Sequence, residues 1–137
     1  EETNHKIKNK IKECKNLLDT YVYLYDLMIK EFVDNDEKNL FRQIFENVKS
    51  SDENIFDLLK NTKLESITQY FELFDLSNLK IENKKEFEII CDILNIITRR
   101  AIVKNFKHNS KEKSRKEFLM QIDYIKYGII KKEEENV

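Results

Sequence analysis

Proline and tryptophan are absent from this chain of 137 residues, which has a single glycine, Gly128, and a single alanine, Ala101. One glycine excludes a glycine-rich phosphate loop. Histidine occurs only as His5 and His108, neither with a cysteine or second histidine at ligand spacing, so no zinc site is expected. An excess of one charge is also missing. Lys and Arg total 25 against 26 Asp and Glu, a net charge of -1, which argues against a dedicated nucleic-acid binder. No apolar run approaches the roughly 18 residues that span a bilayer, and no signal-peptide pattern is visible. The chain opens on "EETNHK" without Met, as a trimmed or processed product does, so the missing targeting segment points only weakly to the cytoplasm.

Two cysteines, Cys14 and Cys91, fall in separate expected helices. That is sparse for a small secreted domain and reads as reduced, buried thiols, with one bridge between them the alternative. Carboxylates are plentiful but lie on helix faces, and Ser and Thr sit mainly at caps and links. No nucleophile stands out, so no enzyme and no cofactor are expected. Seventeen Ile, fourteen Asn and twenty-one Lys are the skew that an AT-rich genome produces.

What is present is helical periodicity. Ile7, Ile11, Cys14, Leu18, Tyr21, Tyr25, Met28 and Phe32 recur at alternating steps of four and three, predicting one long helix over 7–32 that stops at "DND". The tyrosines of "YVYLYDL" continue that stripe and read as core. Leu40 to Val48 predicts a shorter helix. Ser50 and Glu53 form a capping-box signature before another, through Leu59, and Leu64, Ile67, Phe71 and Phe74 trace a further face. The stretch "DLSNLKIENKK" at 75–85 reads as a partly buried loop. From 85 to 106 apolar residues cover almost every direction, leaving a thin polar line of Glu88, Asp92, Asn95 and Arg99 and predicting a central helix packed on most sides. Ser114 and Glu117 suggest a second capping box opening a last helix with Phe118, Ile122, Ile125 and Ile129 on one face. Period-two alternation is nowhere convincing. The expectation is one all-α domain over 1–137, whole or a fragment of a longer chain, with five to six helices forming either a short armadillo- or HEAT-like α-solenoid or a closed helical bundle.

The clearest charge feature runs from Arg99 to Lys116. It holds Arg99, Arg100, Lys104, Lys107, Lys111, Lys113, Arg115 and Lys116 against one acid, Glu112. These eight residues are the candidate partner-binding set, for phosphate, an acidic partner or an anionic membrane surface; a solvated helix end is the plain alternative. Interleaved aromatics for stacking nucleic-acid bases are lacking beyond Phe106.

Three stretches, "LLKNTKLESI", "FELFDL" and "DILNIITRRAI", with the later "KEFLMQIDYIKYGIIKKEEEN", resemble in their order the mouse-protein-25 (calcium-binding protein 39) family of armadillo-like scaffolds. The resemblance covers residues 58–137 and implies a non-catalytic scaffold for a kinase or pseudokinase. It carries over no partner-binding residue, because that family's docking surface lies in later repeats. It gives the arginine pair a structural reading: Arg99 reaches solvent, and Arg100 turns toward a neighbouring helix to hold a carboxylate such as Asp75. The competing expectation is a secreted or exported helical protein of an AT-rich parasite or virus that binds a host protein.

Overall fold

A computed structural model describes residues 2–30, 63–107 and 110–131. Among these residues every extended element is helical: α1 (Glu2–Cys14), α2 (Leu17–Met28), a 3-10 helix (Lys63–Leu73), α3 (Lys84–Lys107) and α4 (Lys111–Ile129). The helices expected between Leu40 and Leu59 lie outside the described residues.

The single helix expected over 7–32 is two. Lys15 adopts a left-handed backbone with φ of 53°, and the chain restarts at Asn16, whose Oδ1 accepts from the Asp19 amide at 2.9 Å. That side-chain oxygen satisfies an amide that a new helix start leaves without a carbonyl. The periodic stripe survives the break: Ile7, Ile11, Leu18, Tyr21, Tyr25 and Met28 are all buried, and Cys14 is half-buried. The Lys15 carbonyl takes the Asp75 amide at 2.9 Å, so the break also anchors the later loop.

That loop is partly buried, as its sequence suggests. Leu79 and Ile81 are buried, and Leu79 pairs with Ile130 in an isolated antiparallel bridge flanked by Lys80 N–H to Ile129 O at 2.7 Å. Helix α3 opens on two side-chain caps: Asn83 Oδ1 accepts from the Glu86 amide, and Glu86 Oε1 accepts from the Glu82 amide, one residue before the cap. Phe87 then stands between Phe71 and Phe74, with ring centroids 5.0 and 5.5 Å away, fixing the 3-10 helix on α3.

Helix α4 starts one turn before the expected Ser114 cap. Ser110 is the cap, accepting from the Lys113 amide, while Ser114 is buried inside the helix and donates its hydroxyl back to the Ser110 carbonyl. Phe118 stacks on Tyr25 at 4.4 Å, binding α4 to α2. Residues of α2, the 3-10 helix and α4 all pack on α3. Its expected enclosure is nevertheless incomplete, because Ile89, Ile93 and Ile96 are 51%, 44% and 54% exposed.

Candidate functional site

Helix α3 presents three different surfaces. Toward α2 it places a polar seam inside the core. The Tyr21 hydroxyl, fully buried, donates to Asn95 Oδ1 at 2.7 Å and lies 3.4 Å from the Cys91 carbonyl. The Tyr25 hydroxyl, four residues after Tyr21, accepts from Asn105 Nδ2 at 2.9 Å. Burial pushes the Cys91 thiol up to about 12, and burial likewise raises the Tyr21 phenol well above its ordinary value, so both stay protonated at neutral pH. Neither cysteine is bridged.

On its flank facing the 3-10 helix, α3 lines an open recess of about 560 Å³ with Asp92, Asn95, Ile96 and Arg99, opposite Thr68. Asn95, expected on the solvated polar line, is only 5% exposed and forms part of the recess wall. A second groove of about 440 Å³ lies between the start of α2, the 75–79 loop and α4, with Leu18, Leu79 and Ile122 among its apolar residues and Asp19, Asp75 and Asp123 among its polar ones.

The third surface is apolar and bare. Ile89, Ile93 and Ile96 recur at steps of four and three on α3; Met120, Tyr124 and Tyr127 do so on α4 and are 47%, 70% and 79% exposed. Because α3 and α4 form a hairpin, counting outward from their connection brings the two triplets to matching heights on neighbouring helices. The spacing was there to be read, but the isoleucines pass for core in a helix that looks apolar all round.

The candidate basic residues are dispersed. Arg99 is half-buried at the recess and Arg100 is exposed, the reverse of the expected arrangement. Asp75 is not paired with Arg100; it accepts from the Ser77 amide and hydroxyl, and these bonds hold its carboxyl below the usual range. Arg115 makes a two-pronged ion pair with Asp26 of α2, Nε to Oδ1 and Nη2 to Oδ2 both at 2.8 Å. Lys104 is half-buried, while Lys111, Lys113 and Lys116 are exposed; the side chain of Lys107 lies outside the described residues. Among the described residues no cluster of His, Cys, Asp or Glu is placed to hold a metal, and no helix is long and apolar enough to cross a membrane.

The chain belongs to the tetracyclin repressor-like, C-terminal domain family, whose model matches residues 16–129. No curated protein and no solved structure matches it.

Family membership overturns the likeness to mouse-protein-25 and, with it, the armadillo-repeat scaffold and the kinase or pseudokinase partner. That likeness rested on an order of apolar helix, aspartate and arginine pair, residue types that any packed helical domain uses. It also displaces the secreted or exported parasite or viral protein with a host partner: Ile, Asn and Lys richness reports base composition and is shared by any protein of such a genome. The membrane-surface reading of the 99–116 segment falls with the other partner expectations, since the family is repressor-like and Arg115 within the segment is held by Asp26.

Proposed function

We propose that this chain is the ligand-sensing, self-associating part of a cytoplasmic transcription regulator, acting by binding rather than by catalysis. DNA is then read by a separate N-terminal domain of the regulator. This fits a near-neutral chain, and regulators of this kind pair through their C-terminal domains.

The observation that carries the reading is the bare apolar face. Ile89, Ile93 and Ile96 beside Met120, Tyr124 and Tyr127 make a stripe on each of two antiparallel helices, and such a face is self-complementary about a two-fold axis. A second copy completes a four-helix arrangement in which both stripes are covered. Within one protomer we read the helices as a single closed bundle rather than a solenoid, because α3 is packed by elements from both before and after it in the chain.

Sedimentation equilibrium on the wild type and on Ile93→Asp tests the reading. The wild type is expected to sediment as a dimer, and Ile93→Asp, with a charge at the centre of the face, as a monomer with unchanged helical circular dichroism. A monomeric wild type at tens of micromolar, or a variant as dimeric as the wild type, refutes it.

A further inference from the structure

We propose that the recess between the 3-10 helix and α3 is a carboxylate-binding site, taking a small monocarboxylate with an apolar body through the Asn95 amide and the Arg99 guanidinium. The proposal rests on the ligand-sensing reading above and names its ligand class.

The Asn95 side chain is the centre of the argument. Only 5% of the residue is exposed, and it lines the recess. Its Oδ1 is already engaged by the Tyr21 hydroxyl at 2.7 Å, which orients the amide. With its oxygen engaged, the amide's remaining group in the recess wall is the Nδ2 donor. An amide whose oxygen is fixed from behind recognises acceptors and rejects donors.

Arg99 stands one helical turn beyond Asn95 on the same flank and adds positive charge at that end of the recess. An amide N–H and a guanidinium one turn apart suit the two oxygens of a carboxylate better than a single neutral carbonyl. Asp92 stands at the opposite end, about 10 Å from Arg99 along the helix axis at 1.5 Å per residue. It disfavours a second anionic group on the ligand. Ile96, half-exposed between these charges, supplies the apolar contact for the ligand body. Because Ile96 also belongs to the bare face, a ligand here borders the surface at which two copies meet.

Benzoate, benzamide, benzylamine and terephthalate separate these requirements with one ring. Each is titrated into the isotope-labelled full chain while the Asn95 Nδ2 resonances are followed by NMR. Benzoate is expected to shift them saturably, and the other three to bind about tenfold more weakly or not at all. Arg99→Gln is expected to weaken benzoate about tenfold with the helical circular dichroism retained. If that variant does not fold, the wild-type comparison alone decides. Benzamide or benzylamine equalling benzoate, or no movement of the Asn95 resonances with benzoate, overturns the proposal. Benzoate that shifts other resonances and spares Asn95 overturns this site but leaves a ligand-sensing domain. Self-association, measured separately by sedimentation, stands or falls on its own.

Discussion

Removing the Tyr21 hydroxyl isolates one oxygen at the point where α2 meets α3. The Tyr21→Phe ring keeps its place, since Tyr21 is fully buried and the substitution removes only the oxygen that bonds Asn95. The loss falls on the partner. Asn95 Oδ1 gives up its 2.7 Å donor at a position 5% exposed, where water has little access. A buried acceptor stranded in this way costs about 1–3 kcal/mol, against a net value near 1 kcal/mol for an average hydrogen bond. Asn95→Leu strands the hydroxyl instead, whose fallback is the Cys91 carbonyl at a poor 3.4 Å. Replacing both leaves two apolar groups in contact. The double variant is therefore expected to be less destabilised than the sum of the single variants, with a coupling of roughly 1–2 kcal/mol.

Urea unfolding followed by circular dichroism, at one fixed protomer concentration so that association does not intrude, measures all four corners of this cycle. For a chain of this length each kcal/mol moves the melting temperature by roughly 3–5 °C, so the single variants are resolvable by heat as well. A Tyr21→Phe cost below about 0.5 kcal/mol, or single costs that simply add, refutes the reasoning that the Tyr21 hydroxyl and Asn95 oxygen depend on each other.

Alkaline pH should unfold the domain early. The Cys91 thiol, pushed up to about 12 by burial, keeps its proton in the fold after the unfolded chain has lost it, so the folded state binds more protons above pH 9. Stability is full below pH 9 and falls by about 1.4 kcal/mol per pH unit for this one group as pH rises toward 12, a slope that Cys91→Ala should reduce in pH-dependent urea titrations. Two contacts between α2 and α4 differ sharply in expected weight. Phe118→Ala, which empties a site 1% exposed and breaks the stack on Tyr25, should cost about 3–5 kcal/mol in urea unfolding, whereas Arg115→Ala should cost no more than about 1 kcal/mol because both partners of its ion pair are 44% exposed. Equal costs would reverse this ranking.

The elements that were legible in the sequence are those whose apolar spacing has one explanation. Ile7 through Met28 kept a single stripe, and the buried loop at Leu79 and Ile81 announced itself by breaking the period. The break at Lys15 was hidden because Asn16 caps a new helix without disturbing the phase of that stripe. Asn95 was misplaced for a different reason. An asparagine between Asp92 and Arg99 reads as surface until a buried tyrosine is known to stand behind it, and Tyr21 is 74 residues away in sequence. No local pattern carries that information. The family escaped as well, because helix order and common residue types do not distinguish one helical packing from another.

The arginine pair that ends the α3 apolar run answers to helix geometry. At about 100° per residue, Cys91, Thr98, Ile102 and Asn105 gather on the arc facing α2, and Ile89, Ile93 and Ile96 on the opposite arc. The helix looks apolar all round because it has two opposed faces, one packed in its own core and one exposed. Arg100, four residues after Ile96, extends the second arc and forms its exposed rim. Arg99 falls between the arcs, on the flank of Asp92 and Asn95 that opens into the recess. Adjacent and chemically identical, the two residues should therefore separate under substitution. Arg100→Ala should change dimer dissociation by no more than about fivefold, the range of a rim charge, and leave benzoate binding intact. Arg99→Gln should weaken benzoate about tenfold and leave the dimer unchanged. Sedimentation and NMR titration of the same two variants provide the comparison. An Arg100→Ala protein that loses benzoate as Arg99→Gln does would mean that the recess and the bare face are one site, and that the division of α3 into separate surfaces is wrong.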